Sequence, residues 1–213
     1  MTTTHIPTHH FEALTFPAYE ITYDRLTNQL SEVFSPFELK EYLNLYERAQ
    51  KNPKKTRAAV EDLLVKFKNL PEIYNLLGYI YVRLKKIRKA ERLIEENYKY
   101  NPSNLFSKIN YADQCLRKGK SDEIPEIFEN VHDLNKLYPN RKTFHFSEVL
   151  GFSTLMGFYY LKKGERVKAL DYCTYAKMID PEDFTVKFLI KKLSKKGILT
   201  HFLNQFGKRR RCK

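Results

Sequence analysis

One pattern of residues occurs twice in this chain at fixed spacing, and no other feature restricts its folding as strongly. The segment from Pro71 reads Tyr74-x2-Leu77-Gly78-x2-Tyr81, then Ala90-x3-Ile94, then Pro102. The segment from Leu150 reads Ser153-x2-Met156-Gly157-x2-Tyr160, then Ala169-x3-Cys173, then Pro181. Gly78, Ala90 and Pro102 are spaced as Gly157, Ala169 and Pro181 are, so two units of equal length span 71–104 and 150–183. A period of about 34 residues marks stacked supersecondary units. Gly78 and Gly157, lacking Cβ, are expected to let the two helices of a pair cross closely, with Ala90 and Ala169 meeting them from the second helix. Pro102 and Pro181 end that second helix. Lys163-Gly164-Glu165 supplies the turn within the last unit.

The interval 105–149 is longer than one repeat. It carries Lys108-x2-Tyr111-Ala112-x2-Cys115 and a Lys118-Gly119-Lys120 turn. Its second helix is predicted over 122–137, with Ile127, Phe128, Val131 and Leu134 on one face. The surplus residues are predicted to lengthen that helix and to extend the next one back through Phe144, Phe146 and Val149. Upstream, Ser35-Pro36-Phe37-Glu38 reads as a capping box opening a helix to about Gln50, and Asn52-Pro53 restarts another. Residues 1–23, interrupted by Pro7 and Pro17, read as extended where Tyr19, Ile21 and Tyr23 alternate. The last pieces are helices near 182–195 and 198–206, the second carrying Ile198, Leu199, Phe202, Leu203 and Phe206, with Gly197 between them. No segment reads as a convincing sheet. The expected fold is all-α, an α-solenoid of antiparallel helix pairs. Its layout is an N-terminal segment (1–35), a degenerate pair (36–70), three repeats (71–104, 105–149, 150–183), capping helices (184–206) and a basic tail (207–213).

These motifs resemble the tetratricopeptide repeat family, whose W-x2-L-G-x2-Y, A-x3-F and P pattern they follow. Tyr74 and Ser153 stand where the family has tryptophan. The resemblance covers 71–183 firmly and 36–206 loosely. It implies a non-catalytic protein–protein interaction module, an adaptor or chaperone-like scaffold. In the family, the first helices of successive pairs line a concave groove that accepts an extended peptide or a helix. By spacing, the groove residues are Asn75, Tyr79 and Val82; then Phe106, Ile109, Asn110 and Asp113; then Leu155, Phe158 and Lys162. Apolar anchors with a few amides suit pockets plus main-chain hydrogen bonds from Asn75 and Asn110. Alternatively, the chain's own Phe11, Leu14, Phe16, Tyr19 and Ile21 cover these groups. The subfamily that clamps acidic chaperone tails places Lys, Asn and Arg on these faces. Here the matching positions are Asn75, Tyr79, Asn110, Gly151 and Leu155, of which only Asn110 fits. Type III secretion chaperones share the three-unit layout, but not the basic charge or the longer C-terminal extension.

Charge supplies a second reading. The net charge is +13, and the stretch 182–213 carries ten basic and two acidic side chains. Lys208, Arg209, Arg210 and Arg211 form an electrostatic tail that attracts nucleic acid, anionic membrane or an acidic partner. Fifteen Tyr and fifteen Phe would suit base stacking, but they fall at core spacing. Nothing resembles a phosphate loop, an HExxH motif or a nucleophile elbow, so no enzyme activity, cofactor or metal is expected. His5, His9 and His10 lack a fixed partner for metal binding, and His132, His145 and His201 are scattered. Cys115, Cys173 and Cys212 form no CxxC pair, which suits a reducing cytoplasm, although delivery as a secreted effector is compatible. No apolar run reaches the roughly 18–20 residues of a membrane span, and the start lacks a secretory signal. The Leu199/Phe202/Phe206 face would also serve a homodimer contact.

Overall fold

The computed structural model describes residues 3–24 and 28–194. The predicted helix 198–206 and the basic tail 207–213 lie outside the described residues. The chain opens with short strands β1 (Thr3–Ile6), β2 (His9–His10), β3 (Thr15–Phe16) and β4 (Tyr19–Thr22). Helices follow: α1 (Asn28–Val33), α2 (Pro36–Lys51), α3 (Pro53–Lys66), α4 (Pro71–Arg83), α5 (Ile87–Tyr100) and α6 (Leu105–Arg117). After a 3-10 turn at Ser121–Glu123 come α7 (Ile124–Ile127), α8 (Leu134–Leu137) and strand β5 (Thr143–His145). The chain continues with α9 (Phe146–Lys163), α10 (Arg166–Ile179) and α11 (Phe184–Ser194). The fold class is the expected all-α one, built of antiparallel helix pairs. Two compact units share it: residues 24–130 form one, and residues up to 23 together with those from 131 onward form the other. Their boundary falls inside the predicted 105–149 repeat.

In the unit 24–130, local chemistry places the helix starts. Ser35 Oγ accepts the Glu38 N–H at 3.3 Å while Glu38 Oε2 accepts the Ser35 N–H at 2.9 Å, with Pro36 in the first turn. Asn52 and Asn104 cap α3 and α6 through Lys55 N–H (3.3 Å) and Ser107 N–H (3.1 Å). The core joins Tyr42, Leu45 and Ala49 of α2 to Val60 of α3 and to Ile73, Tyr74, Leu77 and Ile80 of α4. Ala90 and Leu93 of α5 complete it. Such burial supplies most of a helical repeat's stability, since short helices are marginal alone.

Three first helices end identically. Lys86, Lys120 and Glu165 donate their N–H to the carbonyls of Tyr81, Cys115 and Tyr160 at 2.8, 2.8 and 2.9 Å. The residue before each is left-handed: Gly119 at φ +80°, Gly164 at φ +83° and Lys85 at φ +57°. This is a Schellman-type stop, for which glycine is the unstrained choice.

Three expectations are overturned, two of them between residues 121 and 146. The predicted helix 122–137 is broken into the 3-10 turn, α7 and α8. Glu129 and Asn130 adopt φ +55° and +57°, and the Asn130 N–H bonds the Pro125 carbonyl at 2.7 Å, stopping the helix as the other turns do. Asp133 then caps α8 through the Asn135 N–H at 2.8 Å. Nor does α9 extend back through Phe144, and a small sheet exists where none was expected. In it β4 lies between antiparallel β1 and parallel β5, pairing Ile21 with Phe144. Ile21 and Phe144 are both fully buried, which is what the pairing achieves. His145 caps α9: its Nδ1 accepts the Ser147 N–H at 3.3 Å, and Glu148 Oε2 accepts the His145 N–H at 2.9 Å. Buried Glu148 is also gripped by Arg141, whose guanidinium lies 4.5 Å from the Phe144 ring.

Candidate functional site

The predicted groove residues divide between the two units. Asn75, Tyr79 and Val82 lie on α4 and Phe106, Ile109, Asn110 and Asp113 on α6, in the unit 24–130. Leu155, Phe158 and Lys162 lie on α9, in the other. Tyr79, Val82 and Asp113 are exposed, and Asn75, Phe106, Asn110, Phe158 and Lys162 are exposed or half-buried. Ile109 and Leu155 are core residues, 7% and 4% exposed, and cannot meet a partner without unpacking. Helical spacing alone does not separate an apolar groove position from a core position one step around the helix.

On α4 and α6 the amides meet. Asn110 Nδ2 donates to Asn75 Oδ1 at 3.2 Å, and Asn97 Nδ2 of α5 reaches the same oxygen at 3.5 Å. Asn101 Nδ2 donates to Asn97 Oδ1 at 3.0 Å, so a ladder of amides holds Asn75 in place. Asn75 Nδ2 and Asn110 Oδ1 keep no partner among the described residues. One donor and one acceptor on neighbouring helices match the two polar groups of a peptide bond. Two partners of this face lie outside the predicted set, Asn97 and Arg83. Arg83 donates to the Tyr79 hydroxyl at 2.8 Å and lies 5.7 Å from its ring centroid. Its i,i+4 spacing from Tyr79 is a signal the sequence does carry. Asp113 is held by Arg117 at 2.8 Å.

In the other unit, Phe158 rests 5.8 Å from Phe188 of α11, and Phe188 stacks on Phe184. The N-terminal segment packs on α10, where Phe16 stacks on Tyr175 at 4.3 Å and meets Tyr172 edge-on at 5.0 Å. Asp171 Oδ2 accepts the N–H of Ala13 and of Leu14 at 2.8 and 2.9 Å. Behind this strap lies a cavity of about 30 Å³, bounded by Phe16, Tyr19, His132, Phe152, Tyr172 and Tyr175. It is large enough for one or two waters and too small for a metabolite.

Burial sets the titration of the thiols and of Tyr160 in these regions. Burial pushes the Cys173 thiol up to about 12, and burial also raises Cys115. Burial raises Tyr160 to about 12. Both thiols are therefore protonated and unreactive at neutral pH. No cluster of metal-ligating residues occurs among the described residues. His5 bonds Glu20, His10 bonds Thr15, and His9 stacks on Phe11. No helix among the described residues is long and apolar enough to cross a membrane.

No family model matches this chain, and no curated protein does. Solved structures do. A MamA double mutant from RS-1 superposes with a TM-score of 0.52 at 16% identity, over 79% of this chain and 90% of its own. MamA from residue 41 to its end, from Desulfovibrio magneticus RS-1, gives 0.50 at 17% identity, over 82% and 97%. MamA contains tetratricopeptide repeats. At this identity the likeness extends to the fold, and this chain has a tetratricopeptide-like helical-repeat fold.

Proposed function

We propose that this protein is a non-catalytic adaptor that binds a segment of a partner protein on the face shared by α4 and α6. The observation that carries this reading is the open amide pair, Asn75 Nδ2 and Asn110 Oδ1, beside the exposed Tyr79 and Val82. An apolar side chain can bury against Tyr79 and Val82 while the amides satisfy the main chain it hangs from, the usual division between anchor and orientation. Buried, protonated cysteines fit a reducing cytoplasm. A contact of nucleic acid or an anionic surface with Lys208–Arg211 rests on charge alone, and such a contact would be salt-labile.

Tyr79→Asp combined with Val82→Asp tests the face. Proteins captured by the wild-type chain at high salt after nuclease treatment should be lost, while far-UV circular dichroism and the denaturation midpoint stay unchanged. Capture that persists, or a midpoint that falls with it, would refute the assignment.

A further inference from the structure

The outward side of α11 is not polar. Val186, Leu189 and Leu193 are buried where the helix packs on α9 and α10, with Val186 against Leu150 and Ala176. Phe184, Phe188 and Lys191 follow one another at i, i+4 and i+7, on the side opposite those three. Phe184 is 77% exposed and Phe188 42%. Their rings lie parallel, 6.3 Å apart, and half-buried Phe158 of α9 lies 5.8 Å from Phe188. Three aromatic side chains thus make one apolar patch, and a contiguous exposed patch marks an interaction surface.

Lysines border the aromatic pair on both sides. By helical spacing Lys187 and Lys191 fall along one edge and Lys192 along the other, and all three are exposed. Lys192 Nζ stands 5.1 Å from the centre of the Phe188 ring. Lys187 pairs with Glu182 at 2.6 Å, whereas Lys191 and Lys192 have no carboxylate partner among the described residues. The sequence that follows, 195–213, adds seven basic residues and no acidic one.

We propose that α11 is a membrane-contact helix, lying on an anionic bilayer with Phe184 and Phe188 inserted and Lys187, Lys191 and Lys192 among the headgroups. Phenyl rings enter the boundary between headgroups and acyl chains, and lysines reach the phosphates along their own apolar stems. A second copy of this chain would set lysine against lysine around the aromatics, and like charges oppose such a contact. A nucleic acid would use the cations, but base stacking needs open ring faces, and Phe188 already has Phe184 and the Lys192 ammonium against it. The inference is independent of the α4–α6 face. It differs from a contact of the basic tail in requiring the two phenylalanines.

Phe188→Trp makes the test direct, because the chain has no tryptophan. With the full chain and vesicles of phosphatidylcholine and phosphatidylserine, the indole emission should shift to the blue, and brominated acyl chains should quench it. Vesicles of phosphatidylcholine alone should do neither. In sedimentation with the mixed vesicles, Lys191→Gln with Lys192→Gln should weaken binding about twentyfold, and Phe184→Ser with Phe188→Ser about tenfold. If the serine pair alters the circular dichroism, the indole emission and the lysine pair still decide the matter. Vesicle binding that leaves the indole emission unchanged would mean that the charge of 195–213 acts alone, and would overturn the proposal. Equal binding to phosphatidylcholine alone would overturn the anionic surface, and no binding to either vesicle would overturn the membrane contact itself. Tighter binding of polyuridylate, weakened as much by the serine pair, would overturn the bilayer in favour of nucleic acid.

Discussion

The pairs α4–α5 and α9–α10 carry the same motif at the same spacing, and they use it for different ends. In α9–α10 the glycine is a structural necessity. Gly157 receives Leu189, its α10 neighbour Ala169 places a carbonyl 3.6 Å from where a Cβ would stand, and α11 closes over both helices. In α4–α5 the glycine has room to spare, and the following helix, α6, packs chiefly on α5. A motif glycine is therefore not proof of close helix crossing. The requirement depends on what the next helix presents at the equivalent position, leucine in one repeat and asparagine in the other.

The strongest way to break this comparison is to remove the leucine over Gly157. Leu189→Ala should destabilise its unit by about 3 kcal/mol, the usual cost of deleting a fully buried leucine. Urea denaturation would read it, and a loss under about 1 kcal/mol would mean that α11 is not docked as described. The glycines give a smaller effect of opposite sign. Gly157→Ala should cost about 1–2 kcal/mol, as overpacking against Leu189 outweighs the gain in helix propensity. Gly78→Ala should stabilise by about 0.5–1 kcal/mol, because an alanine methyl fits at 3.8 Å and only propensity changes. Equal signs at the two sites would remove the distinction.

The smallest effect sharpens a second contrast, between the caps of α2 and α9. Both are capping boxes closed by a glutamate, but one begins with Ser35 and the other with His145. Accepting the Ser147 N–H requires a neutral His145 ring, and burial lowers its pKa from 6.5. The unfolded chain then binds the proton more readily, so this contribution is complete above pH 6.5 and declines as pH falls below it, through the lower folded value. Stability of the α9 unit should fall on acidification from about pH 7 to about pH 5 by more in the wild type than in His145→Asn, which caps without titrating. Identical pH slopes in the two proteins would show that the cap does not sense pH.

Much of the candidate site was legible in the sequence. Asn75 and Asn110 stand out as amides on first-helix positions, and Tyr79 and Val82 follow by spacing. Ile109 and Leu155 were not legible as core, since an apolar residue at helical spacing looks the same whether it faces a groove or a neighbouring helix. Arg83 was legible through its i,i+4 spacing from Tyr79, whereas Asn97 was not, since its reach to Asn75 depends on how α5 packs on α4.

What the sequence determined by itself is everything that depends on residues a few positions apart. The Ser35/Glu38 cap, the proline starts, the glycine turns at 119 and 164 and the helical periodicity all act within one or two turns of backbone. Tertiary structure alone decided the rest. Ile21 finds Phe144 across a long stretch of chain, making a strand of residues that helical spacing would extend α9 through. Glu129 and Asn130 take left-handed conformations that no short-range glycine announces. Only the packed molecule shows that Leu189 closes over one motif glycine while its twin leaves room for a methyl. That depends on which side chain the next helix delivers, and spacing records where the helices fall without recording what fills the space between them.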